Sequence, residues 1–323
     1  MRFLGVDLAW KDGNRSGVAL LGGRCFPLHL REVPHTHGRH RAVLEWIGRH
    51  VAHHRAAVGI DAPLLGLGGA RRAGDNEVSS LFGRFHASTH SPPRYPGLEA
   101  FTRAMLAHYP LDAFGPGWRP ATRRPAIREV YPNALQVLLF GLEHPPGRTI
   151  VKYKRQRFGG KRAWIEKGLR PFIDRCADAI GDRYVVTADA TWRALMAERP
   201  RMSMSGPALK DIEDRWDAVL CALGAALEFL RPGSMRFYPG TTASWRGGYI
   251  LAPTLPVAPE LWRRGARPTR SRATARGSRA SFDSTRSGWR EETRRARTAH
   301  QSPTGSVSKA PGSMRARRSW AAQ

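Results

Sequence analysis

Residues 2–22, which read RFLGVDLAWKDGNRSGVALLG, decide the fold class. Residues 2–8 form an apolar run with polar neighbours, which is typical of a buried strand. The sequence Asp12-Gly13-Asn14 favours a turn, and residues 17–21 predict a second strand. Residues 24–33 predict a less regular third strand. The chain therefore begins as a three-stranded antiparallel meander, which opens an α/β sheet domain.

Helix and strand patterns alternate after this meander. Val43, Ile47 and Val51 recur at helical spacing, and residues 56–61 form a short apolar strand that ends in a carboxylate. Another strand is predicted over residues 127–131, and further helices over residues 98–108, 134–142, 161–176 and 208–230. This order predicts an α/β fold with a mixed five-stranded sheet, flanking helices and helical insertions.

The composition changes after residue 255. Residues 256–323 hold fifteen Arg and one Lys against three Glu and one Asp, a net charge of +12, and are rich in Ser, Thr, Gly and Pro. The stretch sustains no apolar periodicity, so it cannot bury enough apolar surface to offset its chain entropy. We predict a folded domain over residues 1–255 and a disordered basic tail over residues 256–323. The tail is either an arm that grips phosphates or a dispensable extension.

Charge and cysteine content narrow the function classes. A formal charge of +27 favours a polyanionic partner, with nucleic acid ahead of an anionic membrane surface, although Arg-rich coding bias gives the same charge. Cys25, Cys176 and Cys221 form no C-x-x-C pair, which argues against a zinc knuckle or a disulfide framework. The longest apolar stretch, residues 218–230, is too short to span a bilayer. We expect a soluble cytoplasmic protein. The sequence leaves its oligomeric state open.

Carboxylates recur at the places where a sheet and a helix could gather them. Asp7 ends the first predicted strand, and Asp61 ends the strand after the first helix. In the last helix Asp214 and Asp217 are three residues apart and share one face. Asp211 lies three residues before Asp214 and could substitute for either. Alone, each of these residues is more often a cap or a solvated side chain, but their order is more specific.

Converging carboxylates have a definite chemical use. Mg²⁺ or Mn²⁺ prefers hard anionic oxygen ligands, and two such ions about 4 Å apart can activate water and stabilise the leaving oxygen of a phosphodiester. Carboxylates placed this close repel each other unless a cation neutralises them. A cluster of these residues would therefore imply a metal.

The motifs GVDLAW, IDAPL, REVYPNALQVLLFGLE, VKYKRQR, DRWD and GGYILAP together resemble domain of unknown function 429, over roughly residues 1–253. That family is regarded as predicted RNase H-like nucleases. The order of the acids is also similar to that of RuvC-type resolvases. The resemblance implies an RNase H-like fold with metal ligands at Asp7, Asp61, Asp214 and Asp217. One departure is that Asp61 stands where RuvC-type enzymes use the longer Glu.

Other polar residues are weaker candidates for a role at this site. Glu129, on the strand at residues 127–131, is either an extra acid or an ion-paired strand residue. His86 and His90 have i, i+4 spacing, which suits a shared metal on a helix or a general acid or base. A basic run with interleaved aromatic residues predicts a phosphate-tracking loop, with a solvated surface as the alternative; its members are Lys152, Lys154, Arg155, Arg157 and Lys161.

These patterns together predict a Mg²⁺- or Mn²⁺-dependent nuclease that hydrolyses phosphodiester bonds of DNA or RNA by a two-metal mechanism. One alternative is a nucleotide-dependent phosphotransferase of related fold, although the chain shows neither the duplicated domain nor the Gly-rich phosphate loops of that class. The other is a non-catalytic nucleic-acid-binding or interaction module. Such a module would bind nucleic acid without a divalent metal, and Asp7→Asn would leave that binding intact.

Overall fold

The computed structural model describes residues 1–35, 38–68, 70–89, 96–143, 148–240 and 242–255. The predicted tail, residues 256–323, and His90 lie outside the described residues. Within the described ranges, none of the helices combines the length and apolarity needed to cross a membrane.

A mixed five-stranded sheet forms the centre of the described residues, and this confirms the fold class expected from the sequence. Its strands lie in the order β3-β2-β1-β4-β5. The first three pair antiparallel, whereas β4 lies parallel to β1 and β5 parallel to β4. This layout is compatible with an RNase H-like fold. The strands are β1 (Arg2–Asp7), β2 (Gly17–Gly22), β3 (His29–Glu32), β4 (Ala56–Ile60) and β5 (Ala126–Glu129).

Helices surround this sheet. They are α1 (His40–Val51), α2 (Ala73–Phe82), α3 (Pro96–His108), α4 (Pro132–Leu139), α5 (Lys161–Trp164), α6 (Arg170–Ile180), α7 (Ala190–Ala197) and α8 (Gly206–Leu230). A π-helical turn, Ile165–Leu169, joins α5 to α6, so the predicted helix 161–176 is present in a longer and interrupted form. An antiparallel pair, β6 (Met235–Tyr238) and β7 (Ile250–Pro253), follows α8.

Two helices and the last strand pair differ from the sequence prediction. The helix α2 lies in a stretch that reads as polar and Gly-rich, and α7 has only two buried side chains, Trp192 and Leu195. Short helices with few apolar positions have weak periodicity, and tertiary contacts stabilise them. The other elements begin and end within a few residues of their predicted bounds. The helix α4 begins at Pro132, because proline at the first helical position has no amide hydrogen to leave unsatisfied.

The helix α8 is the centre of the packing. It contacts β1, β2 and β4, and its residues from Asp211 to Leu227 are all buried. A helix buried on every side buries its polar residues too, and each then needs a partner. The positions of those partners define the candidate site.

Candidate active site at the carboxylate edge of the sheet

Glycines let α8 approach the sheet closely. A Cβ atom at Gly5 of β1 would overlap the carbonyl oxygen of Ala218, and one at Gly17 of β2 would overlap the carbonyl oxygen of Asp214. Gly17 is also the partner of Asp7 across the β1–β2 ladder. The absence of a side chain at Gly17 therefore brings the backbone of Asp214 beside the end of β1.

Five carboxylates meet at this edge. Asp7 is the last residue of β1, and Asp61 follows β4, where its amide donates to the carbonyl of Val6 at 2.8 Å. The carboxylate of Asp7 lies near enough to Asp214 for its negative charge to raise the pKa of Asp214. The acidic residues of α8 that share this face are Glu213, Asp214 and Asp217. The four acids that the sequence predicts as ligands thus lie in one neighbourhood, and Glu213 adds a fifth.

Two lysines lie among these acids. Lys154 Nζ pairs with Asp217, lies 3.5 Å from Glu213 Oε1 and lies 3.9 Å from Asp7 Oδ2. Lys210 Nζ pairs with Asp214 and lies 3.0 Å from Glu213 Oε1. The sequence predicts Lys154 as a phosphate contact in a basic loop, whereas the structure places its ammonium group inside the acidic cluster.

Aromatic packing holds Lys154 in this position. The neighbouring Tyr153 is buried and stacks on Phe172 of α6, with ring centroids 3.7 Å apart. Its carbonyl accepts a hydrogen bond from Trp164 Nε1 at 2.6 Å, and its hydroxyl donates to Asp217. Asp217 therefore receives one hydrogen bond from a phenol and one from an ammonium group, and is fully buried.

Burial raises the pKa of three carboxyl groups in the cluster. Burial, with the charge of Asp7, raises the pKa of Asp214 to about 9. Burial also raises the pKa of Asp217 to about 6, against the effect of Lys154, and raises the pKa of Asp61 well above its usual range. Burial alone would lower the pKa of Lys154, but Asp217 and Asp7 raise it well above its usual value. Buried carboxyls that hold protons near neutral pH lack sufficient counter-charge.

One atom of the cluster has no partner among the described residues. Glu213 Oε2 is buried and accepts no hydrogen bond, although Oε1 of the same side chain lies near both lysines. A buried carboxylate oxygen without a donor is destabilising unless a cation or a water molecule fills the place.

Glu129 lies beside this cluster in a separate ion pair. Its Oε2 accepts from Arg72 at 2.8 Å and from the amide of Leu64 at 3.1 Å, and Arg72 also binds Asp75. Of the two interpretations of Glu129, this geometry corresponds to the ion-paired strand residue. Arg72, Asp75 and Glu129 line a cavity of about 80 Å³, whose lining also includes Asp61, Thr89, Tyr131 and the exposed Trp10.

Asp211 does not join the carboxylates. It lies on the adjoining face of α8, where its Oδ2 is 3.0 Å from Arg215 Nε and 2.9 Å from His35 Nδ1. Arg215 also binds Glu198 at 2.5 Å. Ligand atoms of His35, Glu198 and Asp211 lie within 4.8 Å of one another, so this group could hold a metal ion. Within the described ranges it is the only set of three or more His, Cys, Asp or Glu residues that meets this distance.

The other residues that the sequence predicts for the site lie at the rim of the carboxylate cluster or in loops. Lys152 donates to the carbonyl of His86, and Lys161 donates to the carbonyl of Met202. Arg155 and Arg157 are exposed on a short turn directly after Lys154. His86 follows a 3₁₀ turn and has a φ of 64°, and residues 87–89 are not helical. The helical arrangement that would let His86 and His90 share a metal is therefore not formed.

Glu213 was not predicted from the sequence, nor were the contacts that Tyr153 and Lys154 make with Asp217. The search for carboxylates three residues apart favoured Asp214 and Asp217 over Glu213. A signal was present, because Lys210, Glu213, Asp214 and Asp217 follow helical spacing and belong to one face. No local pattern indicates that Lys154 reaches α8 across more than fifty residues.

Comparison with known proteins places the chain in a family. The family model described as "Protein of unknown function (DUF429)" matches residues 5–243. The chain therefore belongs to this family. Neither the curated proteins nor the solved structures include a significant match to the chain.

Proposed function

We propose that the protein is a divalent-metal-dependent hydrolase of phosphodiester bonds in nucleic acid. The observation that supports this proposal most directly is the imbalance of charge at the end of β1. Five carboxylates face two ammonium groups there, and the cluster has a formal charge of −3 when all are ionised; the acids are Asp7, Asp61, Glu213, Asp214 and Asp217.

The donor set fits a hard divalent cation. All five groups are carboxylates, the ligands that Mg²⁺ and Mn²⁺ prefer, and the unpartnered Glu213 Oε2 marks a place that lacks a positive neighbour. Asp7, Asp61 and, on displacement of Lys210, Asp214 would hold the ion, because Asp217 is occupied by Tyr153 and Lys154. The oxygens of these three carboxylates do not all lie within 4.8 Å of one another, so the side chains would have to draw together around the ion. This assignment differs from the one that the resemblance implies, in which Asp217 is a ligand.

A bound cation of this kind supplies Lewis acidity and a water of lowered pKa. The residues of the chain supply orientation and charge. Lys154, which is 25% exposed at the side chain, is within reach of the cluster and of solvent. Its ammonium group would donate to a phosphate oxygen of a substrate bound beside Asp7, and Asp217, itself held by Tyr153, orients that ammonium group.

The rim of the cluster is suited to a polyanion. Arg155 and Arg157 are exposed directly after Lys154, so their guanidinium groups can follow a phosphate backbone that enters the site. Trp10, which is 37% exposed, and Tyr131 line the cavity beside Asp61 and offer faces for stacking of a base.

Metal binding and cleavage are tested separately. Calorimetric titration of the full chain with Mn²⁺ should show binding that Asp7→Asn and Asp61→Asn each weaken at least about tenfold, since a ligand carboxylate is lost. Asp112→Asn is the matched control, because Asp112 is exposed on a 3₁₀ turn away from the cluster. Panels of DNA and RNA incubated in Mg²⁺ or Mn²⁺ then give cleavage that both site variants abolish. Cleavage that persists in Asp7→Asn and Asp61→Asn would refute the site.

A second candidate function, a non-catalytic nucleic-acid-binding module, is favoured by one observation. Lys154 already pairs with Asp217 and approaches Glu213 and Asp7, so an ion-pair network takes part of the charge that a metal would take. This candidate predicts nucleic-acid binding that is unchanged by chelators and by Asp7→Asn. Absence of Mn²⁺ binding in calorimetry, together with intact nucleic-acid binding, would establish it over the hydrolase.

A further inference from the structure

A basic cleft lies at the opposite edge of the sheet from the carboxylates. It has a volume of about 590 Å³, and its lining side chains include Arg24, His53, His54, Arg55, Arg119 and Phe229. Arg55 directly precedes β4, and its carbonyl accepts from the amide of Arg2 at the start of β1. The strand β1 therefore separates this cleft from Asp7 by roughly 17 Å, at about 3.3 Å per residue.

The cationic groups of this cleft are largely without anionic partners. Within the described part of the chain, the side chains of Arg24, His53 and His54 make no hydrogen bond or ion pair. Arg55 donates one hydrogen bond, to the carbonyl of Pro120 at 3.0 Å. No carboxylate is present among the lining residues; Glu228, which lies next to Phe229 and pairs with Arg128, interacts electrostatically with Arg119 and offsets part of its charge. Like charges gathered without a counter-ion repel each other, and a bound anion would relieve that repulsion.

One wall of the cleft is apolar. Phe229 and Leu230, at the C-terminal end of α8, and Pro120 face the same space as the arginines, and the guanidinium group of Arg119 lies 5.9 Å from the centre of the Phe229 ring. The C-terminal end of a helix carries about half a negative charge, which offsets only a small part of three guanidinium groups. The cleft thus combines excess positive charge with an apolar wall in one volume.

We propose that this cleft is a binding site for a phosphate ester of nucleotide size, with the phosphate on Arg24, Arg55 and Arg119 and the apolar part against Phe229 and Leu230. Arginine binds phosphate through paired hydrogen bonds, and it stacks on planar groups as well. An open cleft of limited volume, with exposed cationic side chains and an apolar wall, favours a small ligand over the uniform backbone of a long nucleic acid. The proposal does not depend on the hydrolase activity at the other edge.

The test is calorimetric titration of the full chain with inorganic phosphate, with adenosine monophosphate and with a single-stranded oligonucleotide, at about 0.15 M salt to screen weak surface contacts. We expect adenosine monophosphate to bind more tightly than phosphate. The double variant Arg24→Gln/Arg119→Gln should weaken that binding at least about tenfold, because charge-assisted hydrogen bonds are lost. Arg103→Gln, an exposed arginine on α3, is the control, and it should change the affinity less than about twofold.

Each other outcome decides against the proposal. If neither phosphate nor adenosine monophosphate binds, the cleft is a solvated basic surface. If Arg103→Gln weakens binding as much as the double variant, the interaction is a general effect of net charge. If only the oligonucleotide binds, and the double variant weakens it, the cleft belongs to a nucleic-acid track and the small-molecule site is refuted.

Discussion

Both faces of α8 bury acidic side chains beside basic ones, but the faces differ in how far the negative charge is compensated. On one face Asp211 and Glu198 share Arg215, and the exposed His35 adds a further hydrogen bond. On the other face the acids exceed the lysines by three, and the pKa of Asp214 is raised to about 9. Buried charges that are paired stabilise a fold or leave its stability unchanged. Buried charges without a partner are typical of a site that binds a ligand. The difference is one of degree: two carboxylates share one guanidinium group on the Arg215 face, a net charge of −1, whereas the Lys154 face has a net charge of −3 when all its groups are ionised.

The largest effect is expected from removing one cation on each face. Lys154→Met and Arg215→Met each leave buried carboxylates uncompensated, and each should lower the free energy of unfolding by about 3–5 kcal/mol. Thermal unfolding with and without Mn²⁺ distinguishes the faces. Mn²⁺ should raise the Tm of Lys154→Met more than that of Arg215→Met, because more carboxylates remain on the Lys154 face. An equal Mn²⁺-induced rise in Tm in both variants would show that the two faces bind the cation equally well.

Gly17→Ala tests whether the close approach of α8 positions the site. The added Cβ would overlap the carbonyl of Asp214, so α8 must shift, and such overpacking costs about 1–3 kcal/mol. Gly48→Ala is the control, since Gly48 lies within α1 with nothing near its Cβ position. The control should be slightly stabilising, by up to about 1 kcal/mol. Chemical denaturation measures both, and a Gly17→Ala protein as stable as the wild type would contradict the packing argument.

The pH dependence of stability without metal should reveal the excess negative charge of the Lys154 face. The pKa values of Asp214 and Asp217 are raised to about 9 and about 6, so the folded chain holds protons that the unfolded chain releases above the usual aspartate range, near 3.8. Their contribution is full below that range and is lost as the pH rises through 6 and 9. The slope is bounded by about 1.4 kcal/mol per pH unit for each proton held.

Asp214→Asn should reduce this slope, because the amide does not titrate. In a chelator the variant should be more stable than the wild type at pH 8, and thermal unfolding between pH 5 and pH 9 measures the difference. A slope unchanged by the substitution would show that Asp214 is ionised in the folded protein near neutral pH.

The smallest effect is expected from His35→Ala on the Arg215 face of α8. The His35 side chain is 82% exposed, and Arg215 still neutralises Asp211 without it, so stability should change by less than about 0.5 kcal/mol. A Mn²⁺-induced rise in Tm should survive this substitution. Loss of that rise would move the metal site to the group formed by His35, Glu198 and Asp211.

Much of the fold was predictable from local patterns. The opening strands, the helix at Val43, Ile47 and Val51, and the long helix α8 all have the periodicity of their element, and the structure confirms each. The positions of α2, α7 and the β6–β7 pair were not predictable, because their short apolar runs are stabilised by contacts with distant residues. The Arg72–Glu129 pair, for example, joins the start of α2 to β5.

The sequence by itself indicated the five-stranded sheet and most of its flanking helices, and the resemblance to domain of unknown function 429 implied the grouping of Asp7, Asp61, Asp214 and Asp217. Strand ends and helix faces follow from periods of two and 3.6 residues, which are local properties of the chain. Only the tertiary structure decided that Glu213 joins the acids, that Asp211 lies on the adjoining face and that Lys154 lies among the carboxylates. The balance of charge in a buried site depends on contacts between residues that are far apart in sequence. Such contacts form only when α8 packs on the glycines of the sheet.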